Sequence, residues 1–223
     1  MGLFNFLKRK EKKFPKVIIF VGIMGVGKTT LIKNVFRGLH GHEYTLDIED
    51  HSHLIERFAE SGNDFSINKY DFKRIKKIRD ILKDKTEKKI LFDGLLLNFV
   101  FLDTIYDEKN DDELANDVLL KTEYFIKKYE LEKEELKNIL ILHINNDNSF
   151  EQLIARENLD SDDGKEDYEY IKTRYDLVIN SMGETLNKRY GIKYKKVNIT
   201  NLDVNSESEL IKFIGENLLF DNK

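Results

Sequence analysis

Nine consecutive residues carry the clearest chemistry in this chain: Gly22-Ile23-Met24-Gly25-Val26-Gly27-Lys28-Thr29-Thr30. They fit G-x-x-x-x-G-K-[ST], follow the apolar run Val17-Ile18-Ile19-Phe20-Val21, and lead into Leu31-Ile32-Lys33-Asn34-Val35-Phe36. A buried strand, a glycine-rich turn and an amphipathic helix in that order give the pattern its meaning. The glycines let the chain fold back so that several N–H groups point into one concavity, at the positive end of a helix. Gly22, Gly25, Val26, Gly27, Lys28, Thr29 and Thr30 would then cradle a phosphate chain. Lys28 would reach the β- and γ-phosphates, and the Thr29 hydroxyl would ligate Mg²⁺. The stretch predicts a nucleoside triphosphate site.

Phosphoryl transfer asks for positioning and charge stabilisation rather than covalent chemistry. Asp93 closes the strand-like stretch Lys88-Lys89-Ile90-Leu91-Phe92 and is placed to serve the Mg²⁺ shell or orient an acceptor; as a plain structural acid it would cap a helix. Glu49 and Asp50 follow Glu43-Tyr44-Thr45-Leu46-Asp47-Ile48, at the carboxyl end of a second strand, where ligands of open α/β sheets gather. There they would contact an acceptor, and one could accept the proton of an attacking hydroxyl; solvated turn acids are the bland alternative. Arg74 would hold an acceptor phosphate or add one more charge to a basic helix face. Arg156, at the entrance of an acidic loop, could swing onto the transferring group. Arg174 is a weaker substrate ligand, since a surface ion pair explains it equally well.

Three other patterns are weaker. His40-x-His42 and His51-x-His53 have ligand spacing but no acidic companions, so solvated loop histidines are the simpler reading. Asp160-Ser161-Asp162-Asp163-Gly164 has its glycine one place early for a calcium loop and lacks the closing Glu. The basic face of Lys69, Lys73, Arg74, Lys76, Lys77 and Arg79 is interrupted by Asp71 and Asp80, without an aromatic platform for nucleic acid.

The elements that must position these residues alternate. Strands are expected near 16–21, 43–48, 88–93, 138–144 and 192–199. Helices are expected after the glycine loop to about 38, around 54–58, over 67–83, from 95 to 102, over 113–129, at 150–156, over 168–190 and over 207–219. The fold class is therefore α/β: a five-stranded parallel sheet with helices on both faces, the P-loop NTPase fold, with a lid segment at about 157–167. Residues 1–15 read as a flexible leader ending at the only proline, and 16–223 as a single domain.

Composition narrows the field further. At 40% hydrophobic and 35% charged, the 223 residues can build a core beneath a solvated surface. A net charge of −4, from 37 basic and 41 acidic residues, gives no sign of a polyanion-binding protein. Absence of cysteine excludes disulfide frameworks and thiolate metal sites and suits a cytoplasmic protein. No apolar run approaches the roughly 20 residues of a membrane span, so no stable membrane insertion is expected. The start is too short in its apolar part for a signal peptide.

Several features separate the members of the P-loop class. Asn145-Asn146-Asp147-Asn148 lacks the lysine of a guanine-reading signature, and the chain is short for a motor ATPase. Residues 17–219 resemble the thymidylate kinase and deoxynucleoside kinase group of P-loop phosphotransferases. The likeness is carried by residues 22–30; by Ile139-Leu140-Ile141-Leu142-His143-Ile144 followed by Ser149-Phe150-Glu151-Gln152-Leu153-Ile154-Ala155-Arg156; by Glu169-Tyr170-Ile171-Lys172-Thr173-Arg174-Tyr175; and by Arg74. The resemblance implies ATP as phosphoryl donor, Mg²⁺ as cofactor and a nucleoside monophosphate as acceptor, with a homodimer as the expected assembly. Two departures stand out. Asp93 is followed by Gly94 where the group has Arg, and Glu49-Asp50-His51 replaces a Glu-Pro pair. A nucleoside accepting at its 5′-hydroxyl, and a nucleotide-binding regulator with a degenerate acceptor site, are the alternatives.

Overall fold

A computed structural model describes residues 12–40, 42–48, 69–86, 88–94, 110–157 and 164–221. In chain order the elements are β1 (Lys12–Lys13), β2 (Val17–Val21), α1 (Lys28–Gly38), β3 (Tyr44–Asp47), α2 (Lys69–Lys83), β4 (Lys89–Asp93) and α3 (Asp111–Lys128). There follow α4 (Lys133–Leu136), β5 (Ile139–Asn145), α5 (Ser149–Glu157), α6 (Lys165–Tyr190), β6 (Lys193–Asn198), α7 (Glu207–Asn217) and β7 (Phe220–Asp221). The five predicted strands all form. They align in one parallel sheet of order β3-β4-β2-β5-β6, an α/β architecture with the glycine-rich stretch between β2 and α1.

Sequence explains which strands lie inside. All of β2 is buried, as are residues 139–144 of β5, because helices cover both faces of the central strands. Right-handed crossovers then assign the faces. The connection from β2 to β3 runs toward one edge and sets α1 on one side. The connections from β3 to β4, β4 to β5 and β5 to β6 all run the other way, so α2, α3 and α6 take the opposite side. α7 returns to pack on α1, where Gly38 leaves room for Ile214 and Leu210.

Among the described residues helix α6 is the longest element, at 26 residues, and glycines in the left-handed region bound it: Gly164 at φ 96° and Gly191 at φ 73°. Its seat on the sheet depends on a third glycine. A Cβ on Gly183 would fall 2.2 Å from Cδ2 of the Tyr194 ring, so only glycine lets the helix approach β6 this closely. Tyr194 in turn meets Nδ1 of the fully buried His143 at 2.9 Å, while Nε2 of that histidine lies 2.8 Å from Asp176 Oδ1. Tyr194 also donates to Asn180, and Lys196 reaches Asp176 Oδ2 at 3.3 Å. This buried polar group joins α6 to β5 and β6.

Some boundaries differ from expectation. The leader reading extends to residue 15, yet Lys12 and Lys13 pair antiparallel with Asp221 and Phe220. Phe14 and Pro15 are buried, and the Pro15 carbonyl accepts a 2.6 Å hydrogen bond from Tyr44. The end of that segment is thus fixed by partners more than 25 residues away, which local composition does not record. The lid reading at 157–167 is also narrowed. Glu157 closes α5 and Lys165–Asp167 form the first turn of α6, while 158–163 lie outside the described residues. So do the expected helices near 54–58 and 95–102. Helix α4 was not expected; its Glu132 and Glu135 form a reciprocal capping box over a single turn.

Substituting Gly183→Val should drive a branched side chain into the Tyr194 ring and lower unfolding free energy by about 2–3 kcal/mol, read from urea denaturation. A change within about 0.5 kcal/mol would contradict this packing. A pH test addresses Asp176, whose burial raises its carboxyl pKa but is outweighed by the His143 hydrogen bond and nearby charges, leaving it below the usual 3.8. A depressed folded-state value gives stability that is present above the ordinary pKa and lost as pH falls through the folded one. The stability gap between the wild type and Asp176→Asn should therefore be full at neutral pH and shrink below about pH 4. A gap that widens on acidification would refute the assignment.

Candidate functional site

The turn between β2 and α1 is shaped by backbone from elsewhere in the chain. At Gly22 an added Cβ would lie 2.7 Å from the Ile144 carbonyl oxygen, and at Gly25 2.2 Å from that of Ser149. Gly25 and Gly27 also take positive φ, 86° and 81°, a region that side-chain-bearing residues avoid. The end of β5 and the start of α5 therefore press directly on the loop. Gly27 caps α1 without a side-chain hydrogen bond, and no acidic residue stands in the first turn. The amides of Lys28, Thr29 and Thr30 are thus left for an anion at the positive end of the helix.

Lys28, Thr29 and Asp93 meet beside this turn. Parallel pairing sets Asp93 next to Phe20, two residues ahead of Gly22, and the Gly94 N–H donates to the Phe20 carbonyl at 2.9 Å. Asp93 is fully buried. Its Oδ2 accepts from the Thr29 hydroxyl at 2.8 Å, and its Oδ1 faces Lys28 Nζ at 3.0 Å with no hydrogen-bond donor. A hydroxyl and a carboxylate are the hard oxygen donors that suit Mg²⁺, which takes few protein ligands and retains several waters. The residues present fit that ion.

Arg74 is brought to the same place in a different posture from the one expected. Its Nε bonds Asp47 Oδ1 at 2.9 Å and its Nη2 bonds the Asp93 carbonyl at 2.8 Å. The guanidinium lies 5.4 Å from the Phe92 ring centroid, and the residue is only 4% exposed. Lys77 completes the arrangement at 2.8 Å from Asp47 Oδ2. In this geometry Arg74 clamps α2 to the ends of β3 and β4, immediately behind Asp93. Arg174 is likewise engaged: its Nε pairs with Asp111 Oδ1 at 2.8 Å, joining α6 to the first turn of α3. That hydrogen bond raises the pKa of the arginine. Arg156 has an exposed side chain in the last turn of α5, about 10 Å along the axis from Ser149. Glu49 and Asp50 lie outside the described residues.

The structure adds residues that sequence patterns did not single out. Asp47 obeys the same strand-end rule that drew attention to Glu49 and Asp50, two residues before Glu49. Tyr168 donates to the Met24 carbonyl at 2.6 Å, and Asn146 Nδ2 lies 3.5 Å from the Val26 carbonyl. Those contacts span 144 and 120 residues, so no local pattern announces them. His42, read as a solvated loop histidine, packs against Phe14 with ring centroids 4.8 Å apart and planes tilted by 56°; burial and then Lys89 lower its pKa.

No family model matches this chain, and no curated protein does. Among solved structures it is similar to the thymidylate kinase of Candida albicans, at 14% identity and a TM-score of 0.47, over 94% of this chain and 96% of that one. It is also similar to the thymidylate kinase of Ehrlichia chaffeensis, at 13% identity and a TM-score of 0.40, over 92% and 98%. Likenesses of this size carry no argument about activity. The chemistry rests on the loop and its neighbours.

The clamp role of Arg74 is open to a direct test. Arg74→Met keeps the bulk but removes the donors to Asp47 Oδ1 and the Asp93 carbonyl, leaving Asp47 only its Lys77 contact, and should cost about 2 kcal/mol of unfolding free energy in urea. Unchanged stability with a raised acceptor KM would instead make Arg74 a substrate ligand.

Proposed function

We propose that this chain is an ATP- and Mg²⁺-dependent phosphotransferase whose acceptor is a nucleoside monophosphate, of thymidylate kinase-like type. The observation that carries the reading is the convergence of Lys28, Thr29 and buried Asp93 on an uncapped helix start, inside a loop bent by glycines. The amides of the loop and the Lys28 ammonium would hold the β- and γ-phosphates of ATP. Thr29 and Asp93 would hold Mg²⁺, which when bound offsets the charge on the phosphate oxygens. Lys28 and Thr29 both reach Asp93, which gathers the groups that would receive the phosphates. The Lys28 side chain is only 12% exposed.

Arg156 at the end of α5 would meet the transferring group, while Glu49 and Asp50, which follow β3 in sequence, would contact the acceptor. With a monophosphate acceptor the nucleophile is already anionic, and neither acid need act as a base. The partners in this reading are small nucleotides in the cytoplasm, with a homodimer as the assembly. No helix among the described residues is long and apolar enough to cross a membrane.

A coupled assay of ADP release across nucleosides and nucleoside monophosphates tests the proposal. Turnover is expected with at least one monophosphate, abolished by Lys28→Ala and little changed by Glu49→Gln or Asp50→Asn. A loss of about a hundredfold or more in either acid variant would indicate a general base and a hydroxyl acceptor. ATP binding with no turnover on any acceptor would sink both kinase readings. Such a result would favour a regulator, a reading to which Gly94 after Asp93 lends support.

A further inference from the structure

Resting on the phosphate-loop reading above, we infer that Tyr168 is a positioning residue for the anion: through the Met24 carbonyl it fixes and polarises the Gly25 N–H. The argument begins with the peptide unit. A loop whose N–H groups converge on an anion must turn its carbonyls outward, and an outward carbonyl near the protein needs a donor. Tyr168 supplies one to Met24 at 2.6 Å. The described residues contain no cis peptide bond. In a trans, planar unit the N–H of Gly25 points opposite to the Met24 carbonyl, so fixing one end fixes the other. Drawing electron density toward that carbonyl also makes the N–H at the far end a stronger donor.

The remaining contacts show why the unit cannot swing away. From the other side, the Ser149 carbonyl approaches Gly25 too closely for any side chain. Tyr168 itself is held in the first turns of α6. Its N–H bonds the Gly164 carbonyl at 2.9 Å, its ring lies 5.3 Å from that of Phe150, and the residue is only 8% exposed. Burial raises the phenol pKa to about 12, so the hydroxyl remains a donor at any working pH. Asn146 stands in the same relation to the next peptide but one, facing the Val26 carbonyl at 3.5 Å and hence backing the Gly27 N–H. The phenol touches no ligand; it acts through the loop.

Tyr168→Phe keeps the ring and removes only the hydroxyl. In the ligand-free protein the amide resonance of Gly25 should shift strongly, with Gly183 and Gly191 unmoved. Affinity for Mg-ATP and for inorganic tripolyphosphate, by calorimetry, should fall by the same factor of about five, the weight of one hydrogen bond. In the coupled assay KM for ATP should rise by that factor while kcat stays within about twofold. An unmoved Gly25 resonance would overturn the inference, as would a loss confined to ATP, which would place the effect at the base. A fall in melting temperature with unchanged affinities would do so too, since that is what ring packing alone predicts. If wild-type and Lys28→Ala proteins bind tripolyphosphate equally, the phosphate-loop reading itself fails, whereas the Gly25 shift still reports whether Tyr168 orients the peptide.

Discussion

Two carbonyl oxygens, those of Ile144 and Ser149, stand so near the glycine loop that no side chain fits between. Much of the site follows from that steric limit. β5 must run beside β2 in a fixed register, with Val21 opposite His143, for the loop to meet the end of one strand and the start of the next helix. Once there, the loop has no freedom to collapse toward the sheet, and its amides open away from it at the start of α1. The glycines are thus the point where sheet topology becomes anion chemistry. Their positive φ values supply the bend; the missing side chains supply the clearance.

Charge is arranged in layers behind that loop. Lys28 and Thr29 face the Asp93 carboxylate, while the main-chain oxygen of the same residue receives Arg74. Arg74 passes the charge on to Asp47, which Lys77 meets at the surface. Each buried charge therefore has a partner of opposite sign, and the exposed lysine ends the series in water. Pairs of this kind contribute little net stability compared with apolar packing, but breaking one is costly. Their effect is to hold the ends of β3 and β4 in place relative to α2, so that Asp93 is presented to the loop in one position.

The sheet and the phosphate loop were legible because their signals are local. Val17–Val21 and Ile139–Leu142 are unbroken apolar runs, and the spacing of Gly22, Gly27, Lys28 and Thr29 states its own geometry. Arg74 shows where legibility ended. A cation on a basic helix looks available to a phosphate, yet it is turned inward by an acid 27 positions earlier. Tyr168 and Asn146 act on the loop across more than a hundred residues, through main-chain oxygens that any residue would offer. The partners of Gly183 were unreadable for the same reason, since a glycine in a helix announces only a cost, and the ring it makes room for lies on a later strand.

Helix α6 has a mechanical consequence of its own. Over 26 residues it spans about 39 Å as a single stiff rod, touching the loop near one end through Tyr168. At Gly183 the rod rests directly on the Tyr194 ring. Taken as a pivot, that contact divides α6 into a long and a short arm. Tyr168 lies about 22 Å from it, so a tilt of about 5° there carries the phenol through about 2 Å, enough to break its bond to Met24. The long arm would convert a small rocking of α6 on the sheet into a change of posture at the loop, while the short arm toward Tyr190 would move about half as far.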